Sequence, residues 1–468
     1  MEMNKHFINK LKKENKNLYI DINNLKKHKK NLELVIENIK SSKVFKLWQH
    51  TQFLPKIINK IKMKYLNKFT HTSIQSNFSS SEPIKEKVSI IIPTRNGGKD
   101  FENNLDKLIH QEGIPNKEII IMDNESTDGT FEYAKKMNCN VYKVQEKLFH
   151  HGKTRNEGVL KATGEYLILT VQDAYISDSK ALCKLINFVK KYHLSAASCI
   201  QKPKPEADSF AIWQNHYHYS VLNPDHNSIV YLGEKIKGIF NDLSFMEKRK
   251  IVCIDDVLTC YKNEALKKYK FSETIDFAED AEIAVKFIKD GKNIGITSKV
   301  IAFHSHNVDA LYIFKRSFID TVSLKDIFLE KPNRFFHKND VKTEITTIFL
   351  LLSTLFSDKK PSSFNGMLRT ANNFKKNKEK NDIIKLLEMI YPSTVLNLKN
   401  IDINLVRSIK KSIETNYYSY KKYCEKKELK PNFTKMATNI LGVFLAEIII
   451  YDNNKMYEII KESIGKRV

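Results

Sequence analysis

The strongest constraint in this 468-residue chain is the alternation of short apolar runs with amphipathic segments between residues 88 and 171. Apolar runs rich in β-branched residues are typical of buried strands, and segments with a helical period are typical of helices. We predict strands at Val88–Ile92, Glu118–Met122, Val141–Val144 and Tyr166–Val171, and helices at Asp100–Gln111, Thr127–Met137 and Lys153–Ala162. Gly164 is predicted to end the last helix in a left-handed conformation. Strands that alternate with helices form parallel βαβ units, so the sequence predicts an α/β domain.

The segments on either side of this domain differ from it. Residues 1–70 are basic, with 17 Lys against 5 acidic residues, and Leu or Ile recurs in a heptad pattern over residues 11–39. That pattern predicts a coiled-coil-like helix that favours a parallel homodimer, although a single amphipathic helix would show a similar period. Residues 71–86 are polar and Ser-rich, which predicts a linker before a domain over 87–325. The strand pattern then fades, and residues 326–468 are predicted to form a helical C-terminal domain.

Composition narrows the class of protein. A net charge of +24 favours anionic partners such as phosphorylated substrates or anionic lipid surfaces, and no recognition motif for nucleic acid accompanies it. The six Cys residues form no CxxC pair, so no zinc site is expected. The first residues lack a signal-peptide-like apolar run, and the longest apolar stretches are shorter than the roughly 20 residues of a membrane span. We therefore expect a cytoplasmic protein whose basic N-terminal segment suits peripheral contact with the inner face of the membrane.

Polar residues follow the predicted strands at the positions where a ligand site is expected. Asp123 comes directly after EIIIM, and Asp173 comes shortly after YLILTV. The carboxyl ends of parallel strands meet at one edge of a sheet, which is where α/β proteins bind ligands. Asp128 lies in a loop that enters a helix and Arg155 opens another helix, and both helix starts and guanidinium groups suit phosphate. Each residue alone is also compatible with a cap or a turn, so the combination is the informative feature.

Four motifs in order carry a resemblance to a known family. They are IIPTRN, the loop DNESTDGT, the pair RNEG and QDA, and the acidic FAEDAE followed by HSH. Over roughly residues 87–320 the chain resembles the family 2 inverting glycosyltransferases of GT-A fold. It is most similar to the rhamnosyltransferase-type members, which share a His-Gly step before the arginine. The resemblance implies a Rossmann-like nucleotide-sugar domain that inverts the anomeric centre without an enzyme nucleophile.

The resemblance also assigns candidate roles around the donor. Contacts with the nucleotide sugar are expected from Pro93, Thr94, Arg95, Asp123, Asp128, Arg155 and Gln172. Asp173 matches the second acid of the family's metal motif, but Val171 stands where the first acid is usual. His304 and His306 are candidates to complete the coordination of Mg²⁺ or Mn²⁺, which suit sites rich in oxygen ligands.

On the acceptor side, Asp280 matches the position of the general base, with Glu279 as the alternative. Such a base takes the proton of the acceptor hydroxyl as that hydroxyl attacks. Acids in a first helical turn are also favoured by the helix dipole whatever their function. Acceptor contacts are expected from Trp213 and His216, which equally suit an ordinary amphipathic helix, and from Asp256.

Together these features predict a metal-dependent inverting hexosyltransferase of bacterial surface polysaccharide synthesis. The predicted donor is a nucleoside-diphosphate sugar, with dTDP-rhamnose as the candidate that the resemblance suggests. The predicted acceptor is a growing, lipid-linked glycan. Two alternatives stay open: a sugar nucleotidyltransferase, which would release pyrophosphate, and a non-catalytic scaffold in which the transferase domain is degenerate.

Overall fold

The computed structural model describes residues 72–145, 149–222, 227–275, 277–329 and 403–449, together with Ile348 and Leu351. All of them fall within one of two compact units, the one that spans residues 71–468. The predicted coiled coil and homodimer contact over residues 11–39 lie outside the described residues and stay predictions.

A mixed sheet is the centre of the described structure. Its strands are β1 (Ser73–Ser76), β2 (Val88–Thr94), β3 (Lys117–Asp123), β4 (Asn140–Lys143), β5 (Tyr166–Thr170), β6 (Ala196–Lys202), β7 (Ser228–Tyr231), β8 (Leu258–Lys262) and β9 (Ile294–Phe303). Across the sheet they lie in the order β1-β7-β9-β6-β8-β5-β2-β3-β4. The ends of β2, β3 and β5 are therefore side by side, although long stretches of chain separate them.

Strands β2 to β5 form the parallel part that the sequence predicts. β2 pairs in parallel with β3 and β5, and Thr94 lies opposite Asp123 at the carboxyl edge. Alternate residues of β2 enter different hydrophobic clusters: Ile91 one of them, and Ile90 and Ile92 the other. Both faces of the strand are buried, which explains why its sequence is continuously apolar. The α/β class and the four predicted strands are confirmed.

Helices cover the sheet and connect its strands. They are α1 (Gly98–Ile109), α2 (Thr130–Lys136), α3 (His151–Lys161), α4 (Ala181–Tyr192), α5 (Ser209–Leu222), α6 (Gly233–Ile236), α7 (Phe245–Ile251), α8 (Asn263–Tyr269), α9 (Glu279–Lys289), α10 (Ala310–Phe328), α11 (Ile403–Lys426) and α12 (Phe433–Ile449), with a 3₁₀ turn at Phe240–Asp242. Helices α1 to α3 begin and end within three residues of their predicted bounds.

Gly164 does not end helix α3 in a left-handed conformation, as the sequence predicted. Helix α3 ends at Lys161, the next residue Ala162 has extended backbone, and Gly164 is not among the described glycines with positive φ. A Cβ atom on Gly164 would instead lie 2.6 Å from the backbone nitrogen of Ser89 and 2.8 Å from the carbonyl oxygen of Lys87. Glycine is needed here because the chain passes directly against β2.

The other half of the sheet is largely antiparallel. β8 lies between β5 and β6 and runs antiparallel to both, whereas β6 and β9 are parallel to one another. At the far edge, Ser73–Ser76 pairs with Ser228–Tyr231. The start of the predicted linker over residues 71–86 is therefore an edge strand, because its short polar sequence finds backbone partners that no local pattern indicates.

The C-terminal helices pack onto the same unit. Helix α10 runs across the predicted boundary at residue 325, and α12 packs along it, with Lys325 paired to Glu447. Tyr420 on α11 is fully buried, and its hydroxyl lies 2.8 Å from the Oγ of Ser209 at the start of α5. In the described part of the chain, no helix has both the length and the apolar character that crossing a membrane requires.

Replacement of Gly164 by Ala should destabilise the fold by about 1–3 kcal/mol, since the added methyl group overlaps the backbone of β2. Gly238 is the matched control, because a Cβ atom there would meet nothing within 4 Å. Urea unfolding of both variants measures the difference. Equal free energies of unfolding for Gly164→Ala and Gly238→Ala would contradict this reason for the glycine.

Candidate active site

The loops that follow β2 and β3 form one crevice at the carboxyl edge of the sheet. The backbone N–H of Asn96 donates to the Oγ of Ser126 at 2.9 Å, and the N–H of Gly97 donates to the Oγ1 of Thr130 at 2.9 Å. In return, the N–H of Thr127 donates to the side-chain oxygen of Asn96 at 2.8 Å. Because side chains of each loop hold the backbone of the other, the crevice is preformed before any ligand enters.

Gln172 joins the end of β5 to this crevice. Its Oε1 accepts the backbone N–H of Arg95 at 2.8 Å, and its Nε2 donates to the Arg95 carbonyl at 3.2 Å. This reciprocal pair fixes the backbone where Pro93, Thr94 and Arg95 leave the strand. The structure thus brings these predicted donor residues together.

Asp123 and Asp128 lie in the crevice, but both carboxylates are hydrogen-bonded to groups of the protein. Asp123 is 1% exposed, and its carboxylate accepts hydrogen bonds from the Thr94 hydroxyl and from the N–H and hydroxyl of Ser126. Asp128 accepts the N–H of Gly98 at 2.9 Å and bonds from Thr130 at the start of α2. Since their oxygens are occupied in this way, both carboxylates hold the shape of the loops.

The predicted metal residues form a cluster where three segments meet. Tyr175 and Phe303 exchange backbone hydrogen bonds at 2.8 and 2.7 Å, and the N–H of His304 donates to the Lys202 carbonyl at 2.9 Å. These bonds bring Asp173, His304 and His306 together, with one potential ligand atom from each within 4.8 Å of the others. Among the described residues this is the one group of three with metal-ligand side chains at such spacing, and its carboxylate and imidazole donors fit a divalent cation.

Electrostatics keep the Asp173 carboxylate ionised. Burial alone would raise its pKa, but hydrogen bonding to His304 and the nearby His306 and Lys204 outweigh burial and lower the pKa of Asp173 to about 2. The Lys204 ammonium lies 3.6 Å from Asp173 Oδ2. Desolvation, the His304 ring and the charges of Lys204 and Arg316 together lower the pKa of His306.

Arg155 was predicted to contact the diphosphate, but its guanidinium lies against two carboxylates of the protein. The residue is 6% exposed; its Nη1 is bonded to Glu279, and its Nε lies 3.3 Å from Asp256 Oδ2. Arg155 lies in the first turns of α3 and Glu279 opens α9, so tertiary packing turns the guanidinium inward onto two carboxylates. A buried charge needs such partners, and the arginine is therefore committed to the protein interior.

The contact with Arg155 also argues against the roles predicted for Glu279 and Asp256. Glu279 is 7% exposed and tied to Arg155, which leaves it unsuited as the alternative base. Asp256 is 2% exposed and also accepts a hydrogen bond from the Tyr261 hydroxyl at 2.7 Å, so its described partners lie within the protein. Burial raises the pKa of Asp256 despite the neighbouring Arg155.

Asp280 is the half-buried carboxylate of this cluster. Its Oδ1 accepts the N–H of Ala281 at 2.7 Å, and its Oδ2 lies 3.4 Å from the N–H of Asp256. Burial, followed by the negative charges of Asp255 and Asp256, raises the pKa of Asp280 to about 7. A carboxylate with that pKa is able to accept a proton near neutral pH, as general-base catalysis requires.

Trp213 and His216 lie elsewhere. The Trp213 ring is 8% exposed and packs on Tyr420 and Tyr217, and the His216 ring stacks on Tyr423 at a centroid distance of 4.6 Å. The contacts described for both are with the aromatic face of α11 or with their own helix. The described ring contacts thus join α5 to α11, and contact of Trp213 and His216 with an acceptor stays a prediction.

Three residues near the site were missed from the sequence. Lys204 follows β6, Asp255 precedes β8 and accepts a hydrogen bond from Gln201, and Arg316 lies on α10 with its guanidinium 4.1 Å from the Phe277 ring centroid. No local motif marks them, because none of these residues belongs to the segments that carry the resemblance. For Asp255, the one available signal in the sequence is its position next to Asp256.

Comparison with known proteins adds to this geometry. Residues 89–270 match the family model described as Glycosyl transferase family 2. The chain is 29% identical over 235 residues to the O-antigen chain rhamnosyltransferase RfbN of Salmonella typhimurium, which is 50% of this chain and 70% of that protein. It is 28% identical over 233 residues to the O-antigen chain rhamnosyltransferase WbaN of Salmonella anatum, with 49% and 70% covered. Among solved structures, the mannosyltransferase PcManGT from Pyrobaculum calidifontis, in complex with GDP-Man and Mn²⁺, superposes with a TM-score of 0.46 at 14% identity over 82% of this chain and 93% of that chain.

The raised pKa of Asp280 has a consequence for stability. The free energy of unfolding should fall as pH rises from the usual aspartate value of 3.8 to about 7, because the folded state resists ionisation over that range. Asp280→Asn removes this cost and keeps the acceptor for the Ala281 N–H. We expect the variant to melt above the wild type at pH 8 and close to it near pH 4, with roughly 2–4 °C of Tm for each ~1 kcal/mol.

The control for this measurement is Glu132→Gln, which removes an exposed first-turn carboxylate from α2. It should lower or leave unchanged the Tm at pH 8, since an acid at a helix start is stabilising. A Tm of Asp280→Asn below that of the wild type at pH 8 would show that Asp280 is not electrostatically strained.

Proposed function

We propose that this chain, which is a member of glycosyl transferase family 2 by the match over residues 89–270, transfers a sugar from a nucleoside-diphosphate donor to a hydroxyl group of a growing bacterial surface polysaccharide. The glycosyltransferase family and the α/β GT-A fold that the motifs predict are confirmed. The polysaccharide acceptor is proposed from the two relatives, both of which are O-antigen chain rhamnosyltransferases. The deoxyhexose donor dTDP-rhamnose is proposed on the same ground.

The observation that carries the proposal is the position of Asp280, a half-buried carboxylate in the first turn of α9 beside Asp256. Burial and the neighbouring acids raise its pKa to about 7, which suits a general base. In the proposed step, the acceptor oxygen forms a bond to the anomeric carbon while the bond from that carbon to the diphosphate oxygen breaks. The electron pair of the broken bond stays on the diphosphate, and the acceptor proton passes to Asp280. A single displacement of this kind inverts the anomeric centre, and its transition state has oxocarbenium character.

The donor is proposed to bind in the crevice between the loops after β2 and β3. Pro93, Thr94 and Arg95 lead into the loop on its first side, and Gln172 fixes the backbone of Arg95. Asp123 and Asp128 are proposed to act by holding the loops, since their carboxylates already accept bonds from the chain. A preformed crevice lowers the entropy lost when the nucleotide binds.

Asp173, His304 and His306 are proposed to hold Mg²⁺ or Mn²⁺. A divalent cation there would supply positive charge against the charge that grows on the leaving diphosphate. The single acid is compensated within the cluster by two imidazole nitrogens. The buried Arg155 pairs with the neighbouring carboxylates Asp256 and Glu279, which leaves the half-buried Asp280 as the carboxylate proposed to accept the proton.

The predicted homodimer, the lipid-linked acceptor and the peripheral contact with the membrane remain proposals that rest on the sequence. The alternative of a nucleotidyltransferase differs in its product. Release of a nucleoside diphosphate would support sugar transfer. Release of pyrophosphate would contradict sugar transfer and support nucleotidyl transfer instead. A donor screen on the purified chain that reads both products decides between them.

Asp280→Asn should lower kcat on the order of 10²–10⁴-fold, because the variant has no group to accept the acceptor proton. In the wild type, kcat/KM should rise with pH through about 7, since Asp280 must be deprotonated to act. Steady-state kinetics between pH 5 and 9 measure both effects. Glu132→Gln should retain the wild-type profile, and an Asp280→Asn enzyme with undiminished kcat would rule Asp280 out as the base.

Asp173→Asn and His304→Ala should each weaken Mn²⁺ binding by on the order of tenfold or more, since loss of even an outer-shell partner of a metal has effects of that size. Electron paramagnetic resonance of free Mn²⁺ measures the affinity without reference to activity. His110→Gln, at the exposed end of α1, is the control. Unchanged Mn²⁺ affinity in both site variants would refute the proposed ligand set.

A further inference from the structure

Lys204, which the sequence analysis did not identify, lies beside the proposed metal ligand Asp173. Its ammonium lies 3.6 Å from Asp173 Oδ2 and 2.7 Å from Asp100 Oδ2, and its side chain is 12% exposed. The backbone N–H of Lys204 donates to the Oγ of Ser305 at 3.0 Å, between His304 and His306. The lysine is thus built into the same junction of segments that assembles the Asp173 cluster.

The contacts of Lys204 are not those of a lysine that only stabilises the fold. Its stronger partner, Asp100, has a side chain that is 62% exposed on the first turn of α1, and exposed ion pairs contribute little stability. The other partner, Asp173, is 16% exposed and belongs to the proposed metal site. In the described part of the chain, Lys204 is the one Lys or Arg that forms an ion pair with Asp173.

The balance of charge at the site indicates what this lysine contributes. Where the family usually has two acids in its metal motif, this chain has Val171 and Asp173, so one negative charge fewer opposes the cation. Lys204 adds a positive charge at the same place. A donor diphosphate carries a negative charge on each phosphate, and a cation together with Lys204 against a single carboxylate leaves the surplus of positive charge that such a group requires.

The other nearby cation is already engaged. Arg316 donates from its Nε to both carboxylate oxygens of Asp320, at 3.0 and 3.1 Å, and its guanidinium lies over the Phe277 ring. The first contact lies within α10 and the second reaches the loop before α9, and the ion pair described for Arg316 is with Asp320 rather than with Asp173. Arg155, which the sequence assigned to the diphosphate, is buried against Asp256 and Glu279. Lys204 is therefore the candidate for the diphosphate contact that the sequence assigned to Arg155.

We propose that Lys204 binds the diphosphate of the donor and shares Asp173 with the divalent cation. Without ligand, its ammonium pairs with Asp173 and Asp100; with donor bound, it donates a hydrogen bond to a phosphate oxygen. The lysine stays protonated throughout and no covalent bond to it forms or breaks. This inference rests on the proposed transfer from a nucleoside-diphosphate donor.

Removal of the lysine should then have opposite effects on two ligands. Lys204→Met should weaken metal-free binding of a nucleoside diphosphate by about tenfold, the size expected for one charge-assisted hydrogen bond. The same variant should tighten Mn²⁺ binding in the absence of nucleotide by roughly threefold or more, because no ammonium then competes for Asp173. A lysine with a merely structural role would change both affinities in the same direction.

The experiment is calorimetric titration of the full chain with UDP, GDP and dTDP, with the matching monophosphates, and separately with Mn²⁺. The variants are Lys204→Met, Lys204→Gln and Lys204→Arg, with Lys202→Met as the control, since Lys202 is exposed and its recorded contact is through its backbone. Monophosphate binding should be unchanged in all variants, and Lys204→Arg should retain most of the diphosphate affinity. Thermal melts verify that each variant is folded.

The outcomes separate this inference from the proposed function. If the wild type binds one of the diphosphates and Lys204→Met and Lys204→Gln bind it equally well, Lys204 is not a diphosphate ligand, while the proposed transfer stands. Parallel loss of monophosphate, diphosphate and Mn²⁺ binding would likewise overturn the inference in favour of a structural role. If the wild type binds none of the three diphosphates, the proposed function fails, and the inference fails with it.

Discussion

The buried contact of Arg155 with Glu279 and Asp256 is the interaction on which the proposed acceptor side of the site depends. It joins the start of α3 to the start of α9 and to the segment before β8. One guanidinium is surrounded by carboxylates that would repel each other without it, and a buried charge is tolerated only when it is paired. The pairing leaves Asp280 as the carboxylate of the cluster that is half-buried and close to neutral in its pKa.

On the donor side, backbone hydrogen bonds have the corresponding role. The exchange between Tyr175 and Phe303, and the bond from His304 to Lys202, bring together segments that are more than a hundred residues apart in sequence. The cluster of Asp173, His304, His306 and Lys204 exists only where these segments meet. Rigid strand ends hold the charged groups, which allows a site with one carboxylate to keep a defined geometry.

Much of the transferase domain could be predicted because its signals are local. Continuous apolar runs such as that of β2 arise wherever a parallel strand is covered on both faces, and the acids after β3 and β5 follow from the position of ligand sites in such sheets. Asp173, His304, His306 and Asp280 were all identified in this way or by resemblance. The partners of Arg155, Trp213 and His216 were not, because side-chain direction depends on elements far away in the sequence.

The amino-acid sequence by itself therefore determined the fold class, the order of strands and helices in the parallel part of the sheet, and the motifs that match a glycosyltransferase family model over residues 89–270. These depend on periodicity and on short motifs, which a local pattern records. Only the tertiary structure decided that Arg155 turns into the interior, that Asp280 is less buried than Glu279, and that Lys204 lies beside Asp173. The physical reason is that burial and the distance between charges are set by contacts across the sheet, and these set which groups are charged and which can meet a substrate.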